Sequence, residues 1–150
     1  MSTCLNDVAT AVVAVVEPDT QALLAAQLMR KHHVGALVVV DAVEKARPVG
    51  IVTDRDLVLA LMAEGLDPAL FTVGDIMSIA LVTARPDTDV LDAVALMRDH
   101  RLRRLVVVDA TGLLVGIVSL DDLLAVMSQR LLDLTQVMSR SRDREFEQRA

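Results

Sequence analysis

The chain repeats itself, and that constrains its fold before anything else does. Pro18-Asp19-Thr20 returns as Pro86-Asp87-Thr88, sixty-eight positions on. The same step carries Leu28-Met29-Arg30 onto Leu96-Met97-Arg98, His32 onto His100, and Val38-Val39-Val40-Asp41 onto Val106-Val107-Val108-Asp109. It also relates Asp7-Val8 to Asp75-Ile76. Past Asp41 and Asp109 the step falls to sixty-six, since Gly50-Ile51-Val52 matches Gly116-Ile117-Val118. The two extra residues lie between Asp41 and Gly50, among Glu44, Lys45, Arg47 and Pro48. A polar loop absorbs such a change at little cost.

Each copy reads as β-α-β-β-α. A β-rich run comes first, Val12 to Val16 or Ile79 to Thr83. Pro-Asp-Thr then opens a helix, with Asp or Thr able to cap its free amides. Ala22, Ala25, Ala26 and Met29 in one copy, and Val90, Ala93, Val94 and Met97 in the other, form one apolar helical face. Leu37 to Val40 and Leu105 to Val108 are unbroken apolar runs, as expected of strands covered on both sides. A second strand follows, Gly50 to Thr53 or Leu114 to Ser119, then a helix from Asp54 to Glu64 or Leu120 to Arg130. One copy is too small to cover both faces of its own sheet, so the expected fold is α+β, two repeats packed about a pseudo-two-fold axis. The expected boundaries are repeat 1 over 5–65, a connector over 66–74 marked by Pro68 and Gly74, repeat 2 over 75–130, and a charged, solvated tail over 131–150.

Apolar residues make up 53% of the chain and aromatics 1%, so the core must be built from Val, Leu, Ile, Ala and Met. The net charge of −6 argues against a nucleic-acid partner, which needs a basic surface. No apolar stretch approaches the roughly 20 residues that span a bilayer. The N-terminus lacks the pattern of a secretory signal. A cytoplasmic location with no membrane association is therefore expected. Cys4 is the sole cysteine and reads as a spare thiol. His32-His33 and His100 sit at expected helix ends without a third ligand, which argues against a metal site. There is no Walker-type phosphate loop, no Cys-x-x-Cys and no nucleophile–base pair, so no enzyme activity is expected.

The second strand of each copy ends in a hydroxyl residue followed three positions later by an aspartate. The two stretches are Gly50-Ile51-Val52-Thr53-Asp54-Arg55-Asp56 and Gly116-Ile117-Val118-Ser119-Leu120-Asp121-Asp122. At a strand-to-helix corner, free N–H groups and the positive helix end attract an anion such as phosphate. A carboxylate one turn on can accept from both hydroxyls of a ribose. The same spacing also makes a helix capping box, and the two readings are compatible.

These stretches, with Asp75-Ile76-Met77-Ser78 ahead of the second copy, resemble the cystathionine-β-synthase-type (CBS) domain family over residues 5 to about 130. The resemblance implies a stand-alone pair of CBS repeats. It implies Thr53 and Ser119 on phosphate, Asp56 and Asp122 on ribose, and a base held in the cleft between repeats. There the base would meet backbone at Val34-Gly35-Ala36 or Leu102-Arg103-Arg104, with contacts from lead-in strands near Val16 and Thr83. Gly35 allows close approach. Arg55, beside Asp54, adds charge at the first corner, where the second copy carries Asp121. Arg103 and Arg104 replace Gly35 and Ala36, so the second base pocket is expected to be the narrower.

Two functions remain open on this reading. One is a regulatory sensor of an adenosyl-containing small molecule (AMP, ADP or ATP, or the related NAD or S-adenosylmethionine), needing no other cofactor and acting on a protein target in trans. The other is a ligand-free docking module. A homodimer is expected in either case, because the helices after each motif carry apolar residues on more than one face. These are Leu57, Val58, Leu61 and Met62, then Leu123, Leu124, Val126 and Met127.

Overall fold

The structure, a computed structural model, describes residues 3–11 and 14–149. Repeat 1 contains β1 (Val15–Val16), α1 (Ala22–His32), β2 (Ala36–Val40), β3 (Pro48–Thr53) and α2 (Asp54–Leu57), which runs into a π-helical turn at Val58–Met62. A short α3 (Val73–Ile76) leads into repeat 2. That repeat contains β4 (Thr83–Ala84), α4 (Val90–His100), β5 (Arg104–Val108), β6 (Leu114–Ser119) and α5 (Leu120–Arg149). Each repeat forms a three-stranded sheet with its central strand second in sequence, β1-β2-β3 and β4-β5-β6. The outer lead-in strand runs parallel to the centre and the later one antiparallel.

Strand alternation builds the core in three layers. Leu37 and Val39 on one face of β2 pack with Ala25 and Met29 of α1. Val38 and Val40 on the other face meet Val106 and Val108 of β5. Leu105 and Val107 turn the opposite way, toward Ala93 and Met97 of α4. The sheets thus lie face to face with helices outside, which is why both central runs are apolar at every position.

The segments ahead of each repeat are exchanged. Leu5 is fully buried in the core of repeat 2, and its N–H donates to the Thr88 carbonyl at 2.9 Å. Val73, just ahead of repeat 2, is buried in the core of repeat 1. Ser78 and Ile51 exchange backbone hydrogen bonds of 2.9 and 3.0 Å, and Thr10 and Ile117 do the same at 3.0 and 3.1 Å.

Several local expectations change. Pro18-Asp19-Thr20 forms a turn in which the Thr20 hydroxyl accepts from the Glu17 N–H, and α1 starts after Gln21. The matching position in repeat 2 is Asp89, which caps α4 by accepting from the Leu91 N–H. Of the expected Val12–Val16 strand, Val15 and Val16 pair with β2, while Val12 and Val13 lie outside the described residues. The expected Ile79–Thr83 strand is only Thr83–Ala84, because residues 78–82 turn to serve the other repeat. The last helix does not stop near Arg130 but continues to Arg149.

Candidate nucleotide site

Thr53 and Ser119 stand at the junctions β3–α2 and β6–α5, and each motif is a closed capping box. The Thr53 Oγ1 accepts from the Asp56 N–H at 3.2 Å, and an Asp56 carboxylate oxygen accepts from the Thr53 N–H at 2.8 Å. Ser119 and Asp122 repeat this at 3.1 and 2.8 Å. In each box the hydroxyl serves as acceptor, so its O–H remains available to a ligand, as does the second carboxylate oxygen. Capping and ligand binding therefore draw on different atoms of the same residues. Thr72 and Asp75 form the same box at α3, so the spacing alone marks a helix start.

The Thr53 corner opens onto a cleft of about 510 Å³. One wall is Ile51, Thr53, Asp54, Arg55 and Asp56 of repeat 1. The other is the lead-in segment Ser78, Ala80, Leu81 and Val82, with Arg101 to Arg104 and Val106, all from the second half. None of Arg55, Arg101, Arg103 and Arg104 joins the ion pairs found among the described residues, which are Lys45–Glu17, Arg47–Glu44 and Arg98–Asp99. Four unpaired guanidiniums in an acidic chain make this cleft an anion-attracting region.

This geometry corrects the expected pairing of subsites. Arg103 and Arg104 do not belong to the Ser119 side alone. They line the Thr53 cleft and also border a smaller recess of about 150 Å³ with Ser119, Leu120 and Asp121. Val34 and Ala36 line a separate cleft of about 220 Å³ with Thr10, Ala14 and Ile117. The Thr53 motif thus faces the other repeat, whereas the Ser119 recess is lined by residues of its own repeat. Gly35 stays at the Thr53 corner through its backbone, its carbonyl accepting from the Asp54 N–H at 3.0 Å. A Cβ there would lie 3.1 Å from Asp54 Oδ2 and 3.3 Å from Arg104 Nη2, so Arg104 reaches across to the first repeat.

Other expected residues fall elsewhere. Val16 is buried in the repeat 1 core, 4% exposed, and presents nothing to a cleft. Thr83 is exposed one position beyond Val82, which does line the cleft. Asp122 is partly buried in its cap and does not line the Ser119 recess. Sequence reasoning missed Ser78, Ala80, Leu81, Arg101 and Val106. The repeat step matches Ser78 to Thr10, Arg101 to His33 and Val106 to Val38, but only the exchange of lead-in segments shows which residues meet at the cleft.

The CBS domain family model matches residues 5–63 and 73–129. The chain belongs to the CBS domain family. A CBS domain-containing protein of Bacillus subtilis, YhcV, is 42% identical over 79% of this chain and 81% of its own length. An uncharacterized protein of Methanopyrus kandleri is 40% identical over 83% of this chain, which spans 63% of that relative's length. Among solved structures, CBSX2 in complex with AMP superposes with a TM-score of 0.70 at 31% identity, covering 84% of this chain and 96% of CBSX2. This chain is thus a pair of CBS repeats of the kind found in stand-alone CBS-domain proteins, and a similar pair holds AMP.

Proposed function

We propose that this chain is a regulatory ligand-sensing module that binds an adenine nucleotide between its repeats and signals its occupancy to a protein partner in trans. AMP, ADP and ATP are the first candidates, with NAD and S-adenosylmethionine as chemical relatives. The observation that carries this reading is the Thr53–Asp56 corner, with Arg55 in it, facing Arg101, Arg103 and Arg104 across a cleft of about 510 Å³. In the proposed pose the phosphate lies at the α2 N-terminus among the arginines. The ribose lies on the free Asp56 oxygen, and the base lies between Ile51, Val82 and Leu102. The AMP bound to CBSX2 supports the ligand class. The match to CBS-domain proteins supports reading the chain as a sensor.

We place the module in the cytoplasm as a homodimer. No described helix is long and apolar enough to cross a membrane. Val58, Leu59 and Met62 of repeat 1 are 46%, 50% and 74% exposed, with Leu124 and Met127 exposed on the matching helix of repeat 2. Patches of this kind mark interfaces.

A thermal-shift series with AMP, ADP, ATP, NAD and S-adenosylmethionine tests the sensor reading. A ligand that binds only the folded chain raises the melting temperature, by linkage. An unchanged melting temperature with all five at millimolar concentration would overturn it in favour of a docking module.

A further inference from the structure

α5 outlasts the repeat it closes. The equivalent helix of repeat 1 ends its π turn at Met62, whereas α5 continues to Arg149. Residues 131–149 extend about 28 Å at 1.5 Å per residue. Along the helix, Leu120, Leu124, Met127, Leu131, Leu134 and Met138 follow one another at alternating steps of four and three. Leu120 is partly buried against the repeat 2 core. The others are exposed, from 41% at Met127 to 65% at Leu131 and Met138.

Steps of four and three average 3.5 residues, short of the 3.6 of a straight helix. A seam of that period stays in contact with another helix wound around it. Every residue from 131 to 149 is exposed, so this molecule covers none of that stretch itself. A lone helical segment of this length is marginal in water.

We propose that residues 124–138 form a two-stranded coiled coil with the same segment of a second copy. Laid side by side in parallel, two copies set each seam residue beside its own counterpart, so identical seams fit one another under two-fold symmetry. The positions flanking the seam between Met127 and Met138 are Ser128, Arg130, Thr135 and Val137. Arg130 is the one charged member, and its guanidinium is hydrogen-bonded to the Thr3 hydroxyl. Two copies therefore approach without a run of like charges. Five seam side chains from each copy, at about 100 Å² apiece, remove about 1,000 Å² from water. The flanking residues bring that into the range of a stable interface, about 1,200 Å² and above. This contact is separate from the proposed nucleotide site, and beyond Met127 it is also separate from the apolar helix faces of the repeats themselves.

Sedimentation equilibrium of the full chain at micromolar concentration tests it. The test pair is Leu131→Glu with Leu134→Glu, at exposed positions that leave the repeat cores intact. Met62→Glu is the comparison on the body of repeat 1. Wild type is expected to self-associate, and the double variant to do so about tenfold or more weakly. The double variant should also lose far-ultraviolet helical signal while the body keeps its melting transition. A monomeric wild type overturns the proposal. So does a double variant that sediments like wild type, including the case where Met62→Glu alone abolishes association.

Discussion

Gly50 lies so close to Ser78 that a Cβ on it would sit 2.9 Å from the Ser78 carbonyl oxygen. The Met77 sulfur would lie equally near, but the Ser78 oxygen is backbone, held by the hydrogen bonds that tie the lead-in segment of repeat 2 onto β3 of repeat 1. Gly116 stands in the same relation to the Thr10 carbonyl, also at 2.9 Å. Gly50→Ala is therefore expected to destabilise the chain by about 1–3 kcal/mol, the usual cost of overpacking. It should also weaken ligand binding, because residues 78–82 wall the cleft. Urea melts and calorimetric titration of the same preparation read both effects. A variant with wild-type midpoint and affinity would show that the contact is slack.

Asp56 is expected to matter for affinity and for stability at once. Its carboxylate caps α2 through one oxygen and offers the other to a ribose. Asp56→Ala should lower nucleotide affinity tenfold to a hundredfold, since losing a hydrogen bond to a charged group costs about 1.5–3 kcal/mol. It should also cost roughly 1 kcal/mol of stability through the lost cap. Asp122→Ala should show the stability loss with little change in affinity, because the Ser119 recess has about 150 Å³ against about 510 Å³. Titration in which Asp122→Ala abolishes binding and Asp56→Ala does not would reverse the ranking.

Arg104 reaches Gly35 and Asp54 across the repeat boundary and carries no ion pair. Arg104→Ala should reduce affinity for ATP more than for adenosine, and flatten the fall in ATP affinity as salt is raised. Equal losses for both ligands would assign Arg104 to shaping the cleft instead of to charge.

Two matched carboxylates are expected to contribute to the acid response. The Glu44 and then the Val43 backbone amides donate to Asp41 and hold its carboxyl below the ordinary value. The Thr111 hydroxyl, then the Leu113 and Thr111 amides, do the same for Asp109. A lowered folded value means stability that is fully present above the ordinary carboxylate pKa, about 3.9, and lost as pH falls through the folded value. Urea midpoints should be level from neutral pH down to that region and then drop. Asp41→Asn with Asp109→Asn should shallow the drop. An unchanged acid limb would exclude these turns as its source.

The repeat step made the β-α-β-β-α order, the apolar central strands and the two strand-end corners legible before any coordinates. Those features are local or periodic. The exchange of Leu5 and Val73 between repeats was not legible, because each is an ordinary apolar residue whose partner is fixed only by long-range packing. For the same reason it was not legible that Arg104 borders the Thr53 cleft as well as the Ser119 recess. Charge obscures the length of α5: the arginines and glutamates after Ser139 read as a solvated tail, although a three-and-four spacing of apolar residues runs up to Met138.

The crossed lead-in segments have a consequence for how the chain comes apart. Removing repeat 2 together with the segment that leads into it would take Val73 out of the core of repeat 1, and removing the first residues would take Leu5 out of the core of repeat 2. Neither half owns all of its interior. Each is clasped by the other, so loosening one loosens both, and a molecule wedged between them grips the whole chain at its seam.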